Sequence, residues 1–434
     1  MSRLSLFPKS TRVNSRGHLT IGGCDTTELA SEFGTPLYLF DEASLRDKCA
    51  EFKTEFTRRY QDVRVVYASK ACINRALAMI FKEEGVGLDV VSGGEMGIAR
   101  LANFPMELVY FHGNNKSAAE INMALEYGVG RIVVDNFYEL RMLNAAASGL
   151  GNKQDVLLRL TPGIDPHTHR YISTGVIDSK FGFPLSLSEE AVTQALALPM
   201  INLMGFHFHA GSLIFETEAY EKSIDIVLEF ASRMKQKHDF ETEELNVGGG
   251  YAIQYTEDAP ARPVAEYAAA ITTKITGTCS KLGLTLPRLV IEPGRAIVGQ
   301  AGVALYSVGV VKDIPGVRRY VSVDGGMADN IRPAIYGSKY EAMLANRMQE
   351  TDTTKVTISG KFCESGDILI QDITLPEVSP GDIIAIPDSG AYCIPMASNY
   401  NIAFKPPIVL VKDGRARLIR RRETLEDLTR CDVA

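Results

Sequence analysis

The sequence predicts an α/β protein in which a (β/α)8 TIM barrel is joined to a second, β-rich domain of sandwich or barrel type. Eight short apolar runs follow one another in the first 295 residues, and stretches with helical spacing lie between them. Continuous apolar strands that alternate with helices are typical of parallel strands covered on the outside. Eight such units are the number that closes into a barrel.

The eight apolar runs come in a regular order, at residues 65–70, 88–92, 108–112, 131–136, 156–161, 204–209, 245–250 and 289–295. Helical spacing is clearest at residues 74–84, 95–101, 118–127 and 220–235. In barrels of this type the functional side chains gather at the C-terminal ends of the strands. Lys70, His209, Gly248–Gly250 and Glu292 fall at such ends.

The pattern changes after residue 295, where short strand-like runs are separated by Pro–Gly turns. These runs lie at residues 303–311, 320–323, 355–359, 367–370 and 382–386. We therefore expect residues 37–302 to form the barrel, and residues 1–36 with 303–434 to form the β-rich domain. The run at 19–21, ahead of a helical stretch at 26–33, could add a strand to that second domain.

Composition narrows the class of protein. Of the 434 residues 45% are hydrophobic and 23% are charged, and the net charge is −7, so we expect neither nucleic acid nor a membrane as a partner. No apolar run is long enough to span a bilayer, and residues 1–16 lack a signal-peptide core. The seven cysteines are scattered, without a CxxC pair, which favours a reducing, cytoplasmic location.

Two of the strand ends have chemistry that suits a cofactor. Lys70 ends the first apolar run, and an amine in a barrel mouth is partly desolvated, which favours the neutral form needed for Schiff-base chemistry. Taken alone, a lysine that reaches solvent is the more common case. Gly248–Gly250 follow the seventh run, where barrels often bind phosphate, because glycines let the backbone approach an anion closely.

Two histidines and a glutamate at the strand ends each have more than one possible role. His207 and His209 are two apart on one strand and so share a face, which is compatible with zinc, with ring stacking or, for His207, with a core position. A second pair, His167 and His169, lies in a polar loop. Glu292 could hold a proton on a heteroaromatic nitrogen or form an ion pair with Arg295.

The β-rich part adds polar turns that resemble ordinary loops when taken separately. Cys363 and Glu364 stand together in one turn, and Tyr392 stands in another. Arg332 and Tyr336 are suited to binding a carboxylate.

Together these motifs resemble those of the diaminopimelate decarboxylases, a family in the alanine-racemase-like (fold-type III) and ornithine decarboxylase group of pyridoxal-phosphate enzymes. The resemblance runs nearly end to end. It rests on YASK at 67–70, DVVSGGE at 89–95, DPHTH at 165–169, TG at 174–175, KFG at 180–182, HFHAGS at 207–212, GGG at 248–250, EPGR at 292–295, RPAIY at 332–336, CESGD at 363–367, GAY at 390–392 and SNYN at 398–401.

The resemblance implies a role for each matching residue. Lys70 would carry pyridoxal 5'-phosphate through a Schiff base, His209 would stack on the ring, and Glu292 would keep the ring nitrogen protonated. The remaining residues assigned to the cofactor are Asp89, Ser212, Gly248, Gly249, Gly250, Gly294, Arg295 and Tyr392. The residues assigned to the substrate are Arg295, Arg332, Tyr336, Tyr392 and Glu364, and the catalytic residues are Lys70 and Cys363.

The reaction implied by the resemblance is decarboxylation of meso-2,6-diaminopimelate at its D centre, which gives L-lysine and CO₂ in the last step of lysine biosynthesis. Arg295, Arg332 and Tyr336 would hold the far carboxylate. Cys363 and Glu364 would come from the partner subunit of a homodimer. Cys72, Cys393 and the Lys361-Phe362 pair depart from the usual family pattern, but none of them carries an assigned role.

Three other functions stay open at this point. The first is a related decarboxylase that acts on ornithine, lysine or arginine, although these substrates lack the second carboxylate that the two arginines would bind. The second is a zinc hydrolase that uses His207 and His209. The third is a non-catalytic regulator with the same fold. The joint presence of four residues argues against it: Lys70, His209, Glu292 and Cys363.

Overall fold

The computed structural model describes residues 3–164 and 179–433. These residues form two compact units. The barrel unit comprises residues 49–252 and 261–294, and the β-rich unit comprises the residues up to 48, residues 253–260 and those from 295 onward. The predicted division into 37–302 and the remainder stays a prediction. The motifs at 165–169 and 174–175, with His167 and His169, lie outside the described residues.

The N-terminal segment forms a small sheet of its own. Strands β1 (Arg12–Val13), β2 (Leu19–Ile21) and β3 (Cys24–Asp25) pair antiparallel, and helix α1 (Thr26–Phe33) begins at the Asp25 cap. The strand expected at 19–21 therefore exists but pairs in this small sheet, and its apolar residues share a core with the larger sheet. Strand β4 (Leu37–Asp41) belongs to that larger sheet, and helix α2 (Glu42–Thr57) follows it.

The barrel unit confirms the eight predicted strands. They are parallel and close on themselves through the pairing of the fourth with the fifth, and a short strand extends the edge. In chain order these strands are β5 (Val63–Ala68), β6 (Gly87–Val90), β7 (Val109–Phe111), β8 (Arg131–Val134), β9 (Gln154–Thr161), the short β10 (Phe183–Pro184), β11 (Ile201–His207), β12 (Glu244–Asn246) and β13 (Arg288–Ile291). Apolar side chains from several strands, such as Val66, Leu157 and Val290, fill the interior.

Helices follow the strands as the periodicity predicts. They are α3 (Arg75–Glu83), α4 (Gly93–Leu101), α5 (Ala118–Tyr127), α6 (Phe137–Leu150), α7 (Leu185–Ala197), α8 (Glu218–His238), α9 (Val264–Leu282) and the short α10 (Arg295–Val298). Asn74, Ser92, Ser117 and Asn136 cap four of them with side-chain oxygens that accept a backbone N–H. Each cap starts a helix within a few residues of the preceding strand. The turns at the barrel mouth are therefore short, and their polar residues lie close to the strand ends.

The β-rich unit is built on a mixed nine-stranded sheet in which the long strand β14 pairs with three neighbours. Its elements after the barrel are β14 (Gly302–Ile314), β15 (Arg318–Val323), α11 (Arg332–Tyr336), β16 (Met343–Leu344), β17 (Thr354–Ser359), β18 (Ile368–Leu375), β19 (Ile383–Ile386), β20 (Ile408–Lys412), β21 (Arg415–Arg420) and α12 (Leu425–Thr429). The five strand-like runs predicted in this region are all strands. Among the described residues, no helix has both the length and the apolar character needed to cross a membrane.

Candidate active site

Lys70 lies at the C-terminal end of the first barrel strand. Strand β5 stops at Ala68, and a single 3-10 turn over residues 69–71 carries the lysine. Its Nζ lies 4.0 Å from Oδ2 of Asp89 on the neighbouring strand, and 43% of its side chain is exposed. The amine is therefore accessible from the barrel mouth and is placed beside a carboxylate.

Asp89 is a buried carboxyl group whose oxygens are only partly engaged. It is 2% exposed, and burial raises the pKa of Asp89 above its usual value even though His112 and Lys70 act in the opposite direction. Its Oδ1 lies 3.8 Å from Nε2 of His112 and has no hydrogen-bond partner among the described residues. A buried carboxyl group in this state can accept a further donor.

Glu292, at the end of the eighth strand, lies close to three side chains. Asn246 donates its Nδ2 hydrogen to Oε1 at 2.6 Å, and Nε2 of His112 lies 2.8 Å from the same oxygen without hydrogen-bond alignment. Nε2 of His207 lies 3.4 Å from Oε2. Burial alone would raise the pKa of Glu292, but the two imidazoles hold it well below its usual value. The carboxylate is therefore charged.

His209 is fixed by the glycine triplet. The N–H of Gly249 donates to Nδ1 of His209 at 3.2 Å, so a neutral imidazole carries its proton on Nε2. Burial and the nearby Lys70 hold the pKa of His209 well below its usual value. A Cβ on Gly248 would lie 2.7 Å from Nδ1 of His209, and Gly248 has φ +71°. Only glycine suits this position, and the ring beside it is neutral.

The last strand end lies against the first. The N–H of Ala68 donates to the carbonyl of Pro293 at 3.2 Å, and a Cβ on Gly294 would lie 2.9 Å from Cβ of Ala68. This contact brings the Glu292–Gly294 turn beside the turn that carries Lys70. Ser212, the remaining predicted cofactor contact in the barrel unit, follows β11 and is half-buried.

A group of three residues has the spacing of metal ligands. His112, His207 and Glu292 place one ligand atom each within 4.8 Å of the others, and the described residues offer no second group of this kind. The zinc alternative relied on His207 together with His209. The group that the structure brings together contains His207 but not His209. Burial lowers the pKa of His207 to about 3, so its ring is neutral at physiological pH.

In the β-rich unit, two predicted arginines meet at one tyrosine. Nη1 of Arg295 donates to Oη of Tyr255 at 2.7 Å, and Nη1 of Arg332 donates to the same oxygen at 3.1 Å. Arg332 also donates to Oη of Tyr340. Arg332 is 2% exposed and Arg295 is 8% exposed. Both guanidinium groups are thus held in place inside the protein, a geometry suited to binding an anion.

Two further predicted residues of this unit, Tyr392 and Tyr336, are each placed near one of the arginines. Tyr392 has φ +63°, and the guanidinium of Arg295 lies 4.6 Å from the centre of its ring. Tyr336 ends α11, four residues after Arg332, which places the two on one face of the helix.

Cys363 and Glu364 lie in an exposed turn. The N–H of Cys363 donates to Oδ1 of Asn401 at 3.1 Å, and the hydroxyl of Tyr400 donates to the carbonyl of Cys363 at 3.2 Å. The carboxylate of Asp367 accepts the N–H of Phe362 at 2.8 Å. The turn is therefore supported by hydrogen bonds, and the side chains of Cys363 and Glu364 are exposed.

One of the departures from the family pattern has a structural explanation. Cys393 is fully buried with its Sγ 3.7 Å from Oη of Tyr340, and burial raises the pKa of its thiol to about 11, so it is a neutral filler. For Cys72, the backbone carbonyl accepts from Oη of Tyr67 at 2.7 Å and the N–H donates to the same oxygen at 3.1 Å, contacts that do not depend on its side chain.

Sequence reasoning missed four residues of these clusters. His112 and Asn246 stand at strand ends, and the strand-end rule applied to every polar residue would have found them. Tyr255 and Tyr340 lie in loops, and the local sequence carries no signal for their contacts with the arginines.

Residues 42–299 match the family described as pyridoxal-dependent decarboxylase, pyridoxal binding domain. With the barrel and the strand-end cluster around Lys70, this match defines a pyridoxal-phosphate-dependent decarboxylase.

Relatives narrow the class. The diaminopimelate decarboxylase of Bacillus subtilis (strain 168) is 47% identical over 426 residues, covering 98% of this chain and 97% of its own. The structure of diaminopimelate decarboxylase from M. jannaschii in co-complex with L-lysine is 34% identical, with a TM-score of 0.92 and 98% of both chains covered. The chain belongs to the diaminopimelate decarboxylase family, whose members are carboxy-lyases.

A more distant structure shares the fold. The lysine/ornithine decarboxylase of Vibrio vulnificus complexed with putrescine is 22% identical and has a TM-score of 0.77. The match covers 89% of this chain and 97% of that one.

The residues of the barrel mouth fit pyridoxal phosphate. Lys70 offers an accessible amine, Glu292 is a charged carboxylate that can pair with a protonated ring nitrogen, and His209 is a neutral ring fixed by its neighbour. Oδ1 of Asp89 and both ring nitrogens of His207 are buried without hydrogen-bond partners among the described residues. Unsatisfied buried polar atoms of this kind are expected beside a polar ligand.

Proposed function

We propose that the protein decarboxylates meso-2,6-diaminopimelate at its D centre to give L-lysine and CO₂, the last step of lysine biosynthesis. The observation that carries the proposal is the pair of arginines, Arg295 and Arg332, held on one tyrosine oxygen. A substrate with a second carboxylate needs such a pair, whereas ornithine and lysine do not. The relatives named diaminopimelate decarboxylase support the same conclusion.

The cofactor residues are proposed as follows. Lys70 holds the cofactor covalently, His209 packs on the face of its ring, and Glu292 keeps a proton on the ring nitrogen. Asp89 lies beside Lys70 and places a carboxyl group next to the amine that would hold the cofactor. The remaining groups surround the phosphate and its approach: Ser212, Gly248, Gly249, Gly250, Gly294, Arg295 and Tyr392.

The chemistry is divided between cofactor and protein. When bound, pyridoxal phosphate supplies the electron sink that lets a carbon–carbon bond break. Arg295, Arg332 and Tyr336 bind the far carboxylate, with Tyr392 beside Arg295, and so orient the other end of the substrate. The charge on Glu292 maintains the protonation of the ring nitrogen throughout the reaction.

We further propose that the active site is shared within a homodimer. Cys363 and Glu364 are exposed on a supported turn, which suits residues that act on a partner subunit. Glu364 would bind the far amino group. When CO₂ leaves, the electron pair stays on the carbon, and Cys363 or Lys70 delivers the proton that replaces the carboxylate.

The location proposed is the cytoplasm. All seven cysteines are free thiols, and Cys363 and Cys431 are exposed. Exposed thiols persist in a reducing compartment.

The test is product formation by the purified protein with pyridoxal phosphate. With meso-diaminopimelate we expect L-lysine and CO₂ in equal amounts. LL-diaminopimelate, which has no D centre, is the matched control and should not react. Absence of lysine, or faster turnover of L-ornithine or D-lysine than of meso-diaminopimelate, would reject the proposal in favour of a related decarboxylase.

A further inference from the structure

The two arginines of the β-rich unit share a single acceptor. Oη of Tyr255 lies 2.7 Å from Nη1 of Arg295 and 3.1 Å from Nη1 of Arg332. Two guanidinium cations that meet at one atom repel each other, so this arrangement needs a group that holds them together. The phenol oxygen, with two lone pairs, accepts from both.

The ring of Tyr255 adds to the contact. Its centre lies 5.7 Å from the guanidinium carbon of Arg295 and 5.1 Å from that of Arg332, within the range of cation–π attraction. The ring also packs edge-on against Tyr340, with centroids 5.4 Å apart. Tyr340 accepts a second hydrogen bond from Arg332. Tyr255 is therefore fixed and fixes both arginines in turn.

The charge of Arg332 is not neutralised locally. Among the described residues, no carboxylate lies within ion-pair distance of Arg332. Asp388 interacts with it at longer range, but burial raises the pKa of Asp388 well above its usual value despite Arg332, and neither of its oxygens has a hydrogen-bond partner among the described residues. Without a carboxylate at ion-pair distance among the described residues, the positive charge of Arg332 is available to an anion.

The hydroxyl hydrogen of Tyr255 is the remaining donor. Both contacts of Oη use it as an acceptor, and the described residues provide no acceptor for its own hydrogen. A carboxylate placed at the arginines would supply one.

We propose that Tyr255 is a specificity-determining positioning residue, which holds Arg295 and Arg332 as a preformed pair that selects a substrate or product with a far carboxylate. This inference rests on the proposed function, because it takes the two arginines as the binding site of that carboxylate. Tyr340 supports the pair through Arg332 alone, so its contribution is smaller.

The test is Tyr255→Phe in the holoenzyme, because phenylalanine keeps the ring contacts and removes only the shared oxygen. We expect KM for meso-diaminopimelate to rise about tenfold or more, the loss typical of one hydrogen bond to a charged group, while kcat changes less than about threefold. Tyr340→Phe should shift KM in the same direction by a smaller factor. Tyr60→Phe is the matched control, since its hydroxyl donates to the carbonyl of Pro287 at the N-terminal ends of the barrel strands.

Ligand binding gives a readout without turnover. L-Lysine carries the far carboxylate and cadaverine lacks it, so Tyr255→Phe should weaken L-lysine binding about tenfold and leave cadaverine binding unchanged. Unchanged KM and lysine affinity, or equal weakening of lysine and cadaverine, would overturn the inference. A wild-type protein that makes no lysine from meso-diaminopimelate would instead reject the proposed function, and the ratio of lysine to cadaverine affinity would still decide the role of Tyr255.

Discussion

The barrel unit and the β-rich unit each hold a buried group of charged side chains, and the two groups are built in opposite ways. In the barrel unit the carboxylates Asp89 and Glu292 contact histidines and Lys70. In the β-rich unit two arginines share the oxygen of Tyr255, an uncharged acceptor. The first group can hold and move protons, whereas the second offers fixed positive charge. Mutations in the first should change kcat, and those in the second should change KM.

Lys70→Ala should have the largest effect, since it removes the only covalent anchor proposed for the cofactor. We expect a loss of activity greater than about 1,000-fold and loss of the visible cofactor absorption. Lys82→Ala is the control, because Lys82 is exposed and its Nζ donates to the carbonyl of Asn103, away from the site. A Lys70→Ala protein that stays yellow after dialysis would contradict the assignment of Lys70 as the covalent anchor of the cofactor.

Glu292→Gln should lower kcat about 100-fold and change KM little, because a neutral amide cannot hold a proton on the ring nitrogen. The amide can still accept from Asn246, so the fold should be kept. Steady-state kinetics measured at saturating cofactor, with visible absorption as the check on occupancy, give the result. A change confined to KM would contradict the division between the units.

Arg332→Lys tests the other unit. Lysine keeps the charge but loses the planar fork, so KM for meso-diaminopimelate should rise about 10- to 100-fold with a smaller change in kcat. Arg319→Lys in the same unit is the control, because Arg319 pairs with Asp313 and Glu377 outside the cluster. A loss of kcat as large as the expected rise in KM, with KM itself unchanged, would mean that Arg332 acts in the chemical step instead.

Mixing two inactive proteins tests whether the units of different chains cooperate. Lys70→Ala and Cys363→Ala subunits, combined in equal amounts and allowed to exchange, should recover about a quarter of wild-type activity, because half the dimers would be hybrids with one intact site. Exchange is followed with differently tagged chains. Complete exchange without any recovery would mean that each site is built within one chain.

Glu95 gives the smallest effect, and its pH dependence has a definite sign. Burial raises the pKa of Glu95 to about 7, although the N–H of Val91 donates to its carboxylate. Since the folded pKa lies above the unfolded one, its stabilising contribution is complete below about pH 4.5 and is lost as pH rises through about 7. Glu95→Gln should therefore be more stable than wild type at pH 8, by about 1–3 kcal/mol, and similar at pH 4.

Denaturant unfolding of the cofactor-free protein at both pH values measures this difference. Glu120→Gln is the comparison, since Glu120 occupies the same first-turn position of the next helix, and its hydrogen bonds to Ser117 and Gly93 lower its pKa despite burial. Glu120→Gln should not gain stability at pH 8. A Glu95→Gln protein that loses stability at pH 8 would show that its carboxylate is stabilised in the fold.

The barrel was predictable because each strand is a continuous apolar run and each strand end carries its own polar residue. Lys70 and Glu292 could be placed at one mouth from this periodicity alone. The contact of His112 with Glu292 joins the third strand to the eighth, and strand order around a closed barrel is needed to see it. The strand at 19–21 is a second example. Its apolar pattern predicts a strand but does not predict which strands it pairs with.

The arginine group was less accessible to sequence reasoning. Arg295, Arg332 and Tyr392 came from family motifs, whereas Tyr255 and Tyr340 stand in loops without periodicity. The contacts of Tyr255 join chain segments 40 and 77 residues apart, whereas Tyr340 contacts Arg332 across 8 residues. The same holds for the turn of Cys363, because its contact with Asn401 joins residues 38 apart in the sequence.

The most direct test of the account is the position of the cofactor linkage. The holoenzyme is reduced with sodium borohydride, digested and mapped by mass spectrometry. We expect one phosphopyridoxyl group per chain, on the peptide that contains Lys70 and on that residue. Modification of a different lysine, or none in a folded protein given excess pyridoxal phosphate, would contradict the role proposed for Lys70.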